Sequence, residues 1–543
     1  MTGRPAAIVE YGAFQQPPSA LFRDYLAGAP SAAGFYEGGR WDLDAIDRAA
    51  DAAVRLERPR AALAAALVRQ QEARGAPAAA DRARALQDPR STAVVTGQQA
   101  GLFGGALYVL YKALGAIRVA AELERRRGAP VVPVFWVASD DHDFAEVRSA
   151  TVLDEGGGIR TFRYAPSVEP SGVPASRIVL DGTVVPLVEE LRVALPERLH
   201  RDDAAELVAQ CYRPGETLAG AFARLLSSLF PSLVVLDPSD PELKRLAAPV
   251  MERELREGSP TSRLAAAVGE RLRASGYHQQ VPVRPGFLNL FLFVDEQRRA
   301  LATTNGSVEV RGTGRRLKLE EALRSLASDP GSWSPGVLLR PLAQDLLLPT
   351  AAYVGGPAEV AYHAEIAPSY GHFGIPRPVV LPRPSVTVVE PAQARAMEAE
   401  SLTLPDLQAD PEALLSKWAR DAYPEVESGF AAARGALARE MDRLEETLAT
   451  LDPTLRAAAD AARGRALHQI GSLHEKATRA LKKRDQTRAD RLRRTRDALL
   501  PGGAFQERGL GLVHLVARHG RAVVDDLLES IDPFARGHQV IHL

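Results

Sequence analysis

"TGQQAGLFGG" (Thr96–Gly105) stands between the apolar run "STAVV" and the stretch "ALYVLYKALGAIRVAAEL". Ala93–Val95 read as the end of a short buried strand, and Leu107, Leu110, Tyr111, Leu114 and Ile117 recur at helical spacing. The segment is therefore a strand, a glycine-rich loop and a helix. Such a loop lets a ligand approach bare backbone, with the helix's first N–H groups aimed at anything negative. Four glycines serve equally well a loop that only turns sharply. No lysine follows directly on the glycines as in a phosphate loop, and the G-x-G-x-x-G spacing is absent. The pattern therefore names no nucleotide. Gln98 and Gln99 add two side-chain amides beside the loop.

Outward from this segment the texture repeats. "TAVVT", "VVPVFWVAS" and "SLVVLD" read as strands, separated by helical stretches such as Gly105–Arg127 and Glu242–Arg256. Alternating strands and helices predict an α/β fold with a parallel sheet covered on both faces. The first ninety residues read as helical and rich in alanine. The expected organisation is a core domain over 1–389, with small β-containing insertions near 152–186 and 285–330. A coiled-coil hairpin follows over 390–503, and 504–543 returns to the core. The hairpin rests on Leu437, Met441, Leu444, Leu448, Leu451 and Leu455, a heptad seam. "LDPTL" interrupts it, with Asp452 expected as an N-cap and Pro453 at the first helical position.

A chain of 543 residues with 46% hydrophobic and 25% charged residues is an ordinary multidomain globular protein. A net charge of −1 argues against a protein built mainly to bind nucleic acid or acidic membranes. The basic run Glu475–Arg496 reads as the solvated face of the hairpin, and no nucleic-acid partner is expected. With Cys211 alone, neither an intramolecular disulfide nor a cysteine-rich zinc site can form. The first residues lack the apolar core of a signal peptide, and no run of eighteen apolar residues suggests a membrane span. A cytoplasmic location is expected.

Two further stretches carry polar residues where buried strands end. In "VFWVASDDHDFAEV" (Val134–Val147) a strand delivers Ser139, Asp140, Asp141, His142 and Asp143 together. Ligands of open parallel sheets bind just past the strands' carboxyl ends. A histidine among carboxylates suits acid–base work or a cationic amine. Capping of a helix by carboxylates is the plainer reading. No second histidine sits at ligand spacing, so no metal is expected. In "LLRPLAQDLLLPTAAYVGGPAEVAYHAE" (Leu338–Glu365), Arg340, Gln344 and Asp345 interrupt an apolar run. Buried charges are costly unless paired or used, so either an Arg–Asp pair or a site is implied. His363 and His372 read as ordinary packing or surface histidines.

Together these stretches resemble one family, the cysteine-adding enzyme (cysteine ligase) of bacillithiol biosynthesis. The resemblance rests on Val94–Arg118, Val132–Val147 and Val337–Tyr362, and extends to "VVLPRPSVTVVE" and "QERGLGLVHLVARHG". It implies a Rossmann-like core akin to class I synthetases and nucleotidylyltransferases, with two insertions and a homodimer formed through the coiled coil. The implied reaction joins L-cysteine to the amine of glucosaminyl-malate; because an amide does not form from a free carboxylate in water, activation of the cysteine is expected, by ATP or by another donor. It places Thr96, Gly97, Gln98, Gln99, Gly101, Gly104, Arg340, Gln344, Tyr353, Gly355, Gly356, Glu359 and Arg383 along a substrate- or nucleotide-binding wall. Asp141, His142 and Asp345 are the implied catalytic residues, with Asp141 or Glu359 holding the cysteine ammonium and His142 taking the amine's proton. The His-x-Gly-His and Lys-Met-Ser-Lys-Ser motifs of the synthetases are absent. Two other readings compete: a ligase for another acid and amine, and a nucleotide-binding coiled-coil scaffold.

Overall fold

Thr92–Gln98 (β1) is buried from Thr92 to Gly97, and Val131–Val137 (β2) is buried throughout. Strands covered on both faces need apolar residues on both, which is why these runs do not alternate. Val234–Leu236 (β3), Thr350–Gly355 (β4) and Val379–Pro382 (β5) complete a parallel sheet in the order β5-β4-β1-β2-β3. The computed structural model describes residues 7–36, 41–304, 306–484 and 486–543. The fold is Rossmann-like α/β, as expected.

The chain steps from β1 outward to β3, then returns to lay β4 and β5 on the other side of β1. The order thus reverses between β1 and β4. A crevice opens at such a point because the connections leave in opposite directions. The helix after β1, Tyr108–Arg127, packs closely there: a Cβ at Gly115 would lie 2.9 Å from the Pro384 ring and 3.3 Å from Val354. Side chains of β1, β2 and β3 pack with Leu63, Leu67 and Leu86 from the amino-terminal helices.

Two smaller sheets stand in the insertions. Ser149–Leu153 pairs antiparallel with Ile159–Arg163. Phe287–Val294, Gln297–Thr304, Ser307–Val310, Arg316–Lys318 and Trp333–Pro335 form a second, antiparallel sheet. A third sheet joins distant parts of the chain: His538–His542 lies between Ala7–Val9 and Ser385–Val389.

Chain contacts separate two units, Met1–Val389 with Phe505–Leu543, and Glu390–Ala504. In the second unit Pro424–Leu451 packs against Leu455–Arg484, and Gln486–Leu499 follows. Asp452 Oδ1 accepts from the Thr454 amide and hydroxyl, both at 2.8 Å, a capping contact as expected, and the regular second helix runs from Leu455. The heptad seam is only partly covered within one chain. Leu444 is 47% and Leu451 75% exposed. Among the described residues no helix is long and apolar enough to cross a membrane.

Candidate active site

A cavity of about 580 Å³ opens over the β1/β4 reversal. Gly97–Gln99 at the end of β1, and Trp136, Ala138, Asp140 and Asp141 at and beyond β2, border it on one side. Tyr353 of β4 and Gly356–Glu359 at the start of the helix Pro357–Glu365 face them. The helix Pro241–Arg256 and the insertion strands close the cavity with Lys244, Phe291 and Arg298. A Cβ at Gly97 would stand 2.7 Å from the Trp136 carbonyl oxygen, so only glycine allows β1 and β2 to lie this close here.

The floor is a buried ion pair. Lys112, 1% exposed, donates to the Gly97 carbonyl at 2.6 Å and to Gln98 Oε1 at 2.8 Å, and pairs with Glu359 Oε2. Glu359 also accepts from Tyr353 Oη at 2.6 Å and from the Gly356 amide at 2.8 Å. Burial holds the lysine below its ordinary range against the pull of the carboxylate. Burial pushes Glu359 up, but Lys112 and the donated hydrogen bonds outweigh it, and its carboxyl lies below the ordinary range.

Arg340 stands on the same wall with neutral partners. Its guanidinium donates to Gln344 Oε1 at 2.9 Å and to Tyr362 Oη at 3.0 Å, and it lies 5.9 and 5.7 Å from the Trp136 and Tyr353 ring centroids. The expected Arg340–Asp345 pair does not form. Gln344 stands between them and donates to Asp345 Oδ1 at 2.8 Å. Asp345 is buried off the cavity, accepts from Tyr370 Oη at 2.6 Å, and has its carboxyl pushed up by burial. The structure therefore does not bring Asp345 together with the other expected catalytic residues at the cavity. Arg383 borders the cavity beside Gly356 and is held by Glu507 at 2.6 Å.

The β2 end carries the acidic groups. Gln99 Nε2 donates to both Asp141 Oδ2, at 2.8 Å, and Glu146 Oε2, at 2.7 Å. Asp140 pairs with Lys244 at 3.1 Å, and Lys244 also donates to the Trp333 carbonyl at 3.0 Å. Arg298 stacks 3.8 Å from the Phe291 centroid and donates to Ser334 Oγ and the Pro335 carbonyl. His142 is not on the wall: its ring lies 6.0 Å from Phe291, and Nδ1 is 3.8 Å from Asp141 Oδ1. Burial, then Arg298, lowers its pKa, which favours the neutral ring.

The glycine loop makes a sharp turn, one of the two readings its sequence allows. Phe103, Gly104 and Gly105 take left-handed backbone (φ 53°, 91° and 70°), which explains the glycines as a turn. The Gly101 amide donates to Gln99, Gly104 to Tyr212 Oη and Gly101, Gly105 to Leu102, and Leu107 to Leu510. Those donors are already used by the protein. Thr96 Oγ1 donates to the Val354 carbonyl at 2.8 Å, tying β1 to β4, and neither Thr96, Gly104, Gln344 nor Gly355 borders the cavity. Gly101 borders a smaller neighbouring cleft.

Residues 9–384 match the family described as "Bacillithiol biosynthesis BshC, N-terminal Rossmann-like domain", and residues 386–543 match its "C-terminal coiled-coil domain". The chain belongs to the BshC family. A Salinibacter ruber protein named "Putative cysteine ligase BshC" is 35% identical over 98% of this chain and 99% of its own length. Namesakes from Koribacter versatilis and Chlorobaculum tepidum are 36% and 32% identical, over 81% and 84% of both chains. Membership of the BshC family makes the chain a ligase, and the scaffold reading falls.

Sequence reasoning missed Lys112, Glu146, Lys244, Arg298 and Arg508 on this BshC-family cavity. Lys112 did leave a signal, a lone lysine inside the apolar face of "ALYVLYKALGAI". Lys244 and Arg298 sit in ordinary amphipathic stretches and left none.

Proposed function

We propose that this chain joins L-cysteine to the amine of glucosaminyl-malate to give bacillithiol. The reading rests on the names of the relatives and on one observation: the carboxylates Asp140 and Asp141 past β2 and the guanidinium groups of Arg340 and Arg383 beside β4 border one cavity at the sheet's reversal point. A carboxylate and an amine do not condense in water without activation. ATP supplies that activation, making the cysteine carboxylate an adenylate as pyrophosphate leaves. Arg340, whose partners Gln344 and Tyr362 are neutral, fits a polyphosphate, with Arg383 beside it on the same cavity. Buried cations aimed at developing negative charge stabilise a transition state strongly.

Asp141, on the wall where His142 is not, takes the proton that the amine releases on attack. His142 backs it. The chain acts in the cytoplasm as a homodimer whose hairpins cover each other's exposed leucines.

The test supplies purified protein with L-cysteine, glucosaminyl-malate and ATP, and follows the products by mass spectrometry. One bacillithiol per AMP released supports the reading. An amide formed from another amino acid in preference to cysteine overturns it.

A further inference from the structure

Beside the main cavity lies a smaller cleft of about 180 Å³. The two share a rim made by Gln98, Gln99, Tyr108, Glu146 and Arg508. Below that rim the cleft is walled by glycine backbone and by small side chains, including Val109, Val147 and Ala150. Three distant segments are laced together around it. The Gly511 amide donates to the Thr151 carbonyl at 2.6 Å, Leu512 to Gly105 at 2.9 Å, and Leu107 to Leu510 at 2.9 Å. A cleft bounded by backbone hydrogen bonds cannot widen cheaply, so it measures what enters.

The rim carries one charge of each sign. Glu146 accepts from the neutral Gln99 amide at 2.7 Å, and among the described residues no cation pairs with it. Arg508 likewise has no carboxylate at ion-pair distance among the described residues. Tyr108 stands near both: burial pushes its hydroxyl up, and the charges of Arg383, Glu146 and Arg508 all bear on it. A carboxylate and a guanidinium at the mouth of a small, partly apolar cleft are the complement of a small free amino acid.

We propose that this cleft is the amino-acid subsite: Glu146 binds the α-ammonium, Arg508 binds the α-carboxylate, and the side chain descends between Val109 and Ala150. The inference rests on the proposed cysteine-adding activity and adds where the amino acid sits and what limits its size. Both charged groups of the amino acid stand at the shared rim, so its carboxyl carbon faces the main cavity and the amine that must reach it. Selection is by side-chain length, because the cleft's floor is fixed.

The test measures KM for L-cysteine and for glucosaminyl-malate in the full-length protein and in three variants. Glu146→Gln raises KM for cysteine by about tenfold or more, and Ala150→Leu, which fills the cleft, does the same, both with KM for the amino sugar within about twofold. Val109→Ala deepens the cleft and shifts the preference between L-homocysteine and L-cysteine toward homocysteine by about tenfold. A merely structural role moves none of these ratios. If Ala150→Leu does not fold, the other two variants decide. Unmoved cysteine KM and unmoved homocysteine preference, in a wild type that makes the amide, overturn the subsite alone. A wild type that makes no amide from cysteine overturns the underlying reading instead.

Discussion

Lys112 and Glu359 meet beneath the cavity from two helices that follow different strands, one after β1 and one after β4. The pair therefore joins the two halves of the sheet at the point where its order reverses. Lys112→Met leaves a buried carboxylate without its cation and is expected to cost about 3–5 kcal/mol, read from chemical denaturation. Lys112→Met combined with Glu359→Gln recovers much of that loss. Additive losses would show that the two residues do not act as a pair.

The proton acceptor is assigned by position on the wall. Asp141→Asn is expected to lower kcat by about 10²–10⁴-fold, and His142→Ala by less than about tenfold. Melting curves run beside the kinetics separate catalysis from folding. A larger effect at His142 than at Asp141 reverses the assignment.

Two buried groups make stability depend on pH in opposite directions. His538, between Ser385 and Thr387 at 2.8 Å each, has its pKa lowered to about 4, by burial first. Its neutral form is the folded form, so its contribution is complete above about pH 6.5 and is lost as pH falls toward 4. Glu365, which accepts from the Gln280 amide at 2.5 Å, is pushed up to about 7 by burial. Its contribution is complete below about pH 4.5 and is lost as pH rises through 7. Thermal melts from pH 4.5 to 6.5 should show His538→Gln gaining on the wild type by roughly 1.4 kcal/mol per pH unit as pH falls. Glu365→Gln should lose ground at the same rate. Parallel curves for all three proteins refute both assignments.

The hairpin seam predicts the oligomeric state. Light scattering should give the wild type the mass of two chains, and Leu444→Lys with Leu448→Lys the mass of one. A single-chain mass for the wild type ends the dimer proposal.

The Rossmann-like core was legible because strands buried on both faces leave continuous apolar runs, as at Ala93–Val95 and Val131–Val137. Asp141 and Glu359 were legible because polar residues directly after such runs fall at one sheet edge. Asp345 misled for the opposite reason. Sequence marks a carboxylate in an apolar run but not whether it faces a cavity or a tyrosine, and here it faces Tyr370. Lys244, on the helix Pro241–Arg256, and Arg298, on an insertion strand, reach the cavity only through packing between distant segments, which no local spacing encodes. The glycine loop was correctly read as a loop, but where its amides point depends on Tyr212 and Leu510, far along the chain.

Ser385–Val389 and His538–His542 pair in one sheet, yet Ser385 and His538 are 153 positions apart. At ribosomal speeds that separation is roughly 8–30 s of translation. Throughout that interval the earlier strand has an open edge, and Arg383 waits for Glu507, which is made only after the hairpin. A growing chain therefore displays an adhesive strand and an unneutralised guanidinium until the hairpin has emerged. Expression yield should respond to chaperone supply and to slowed elongation across the hairpin.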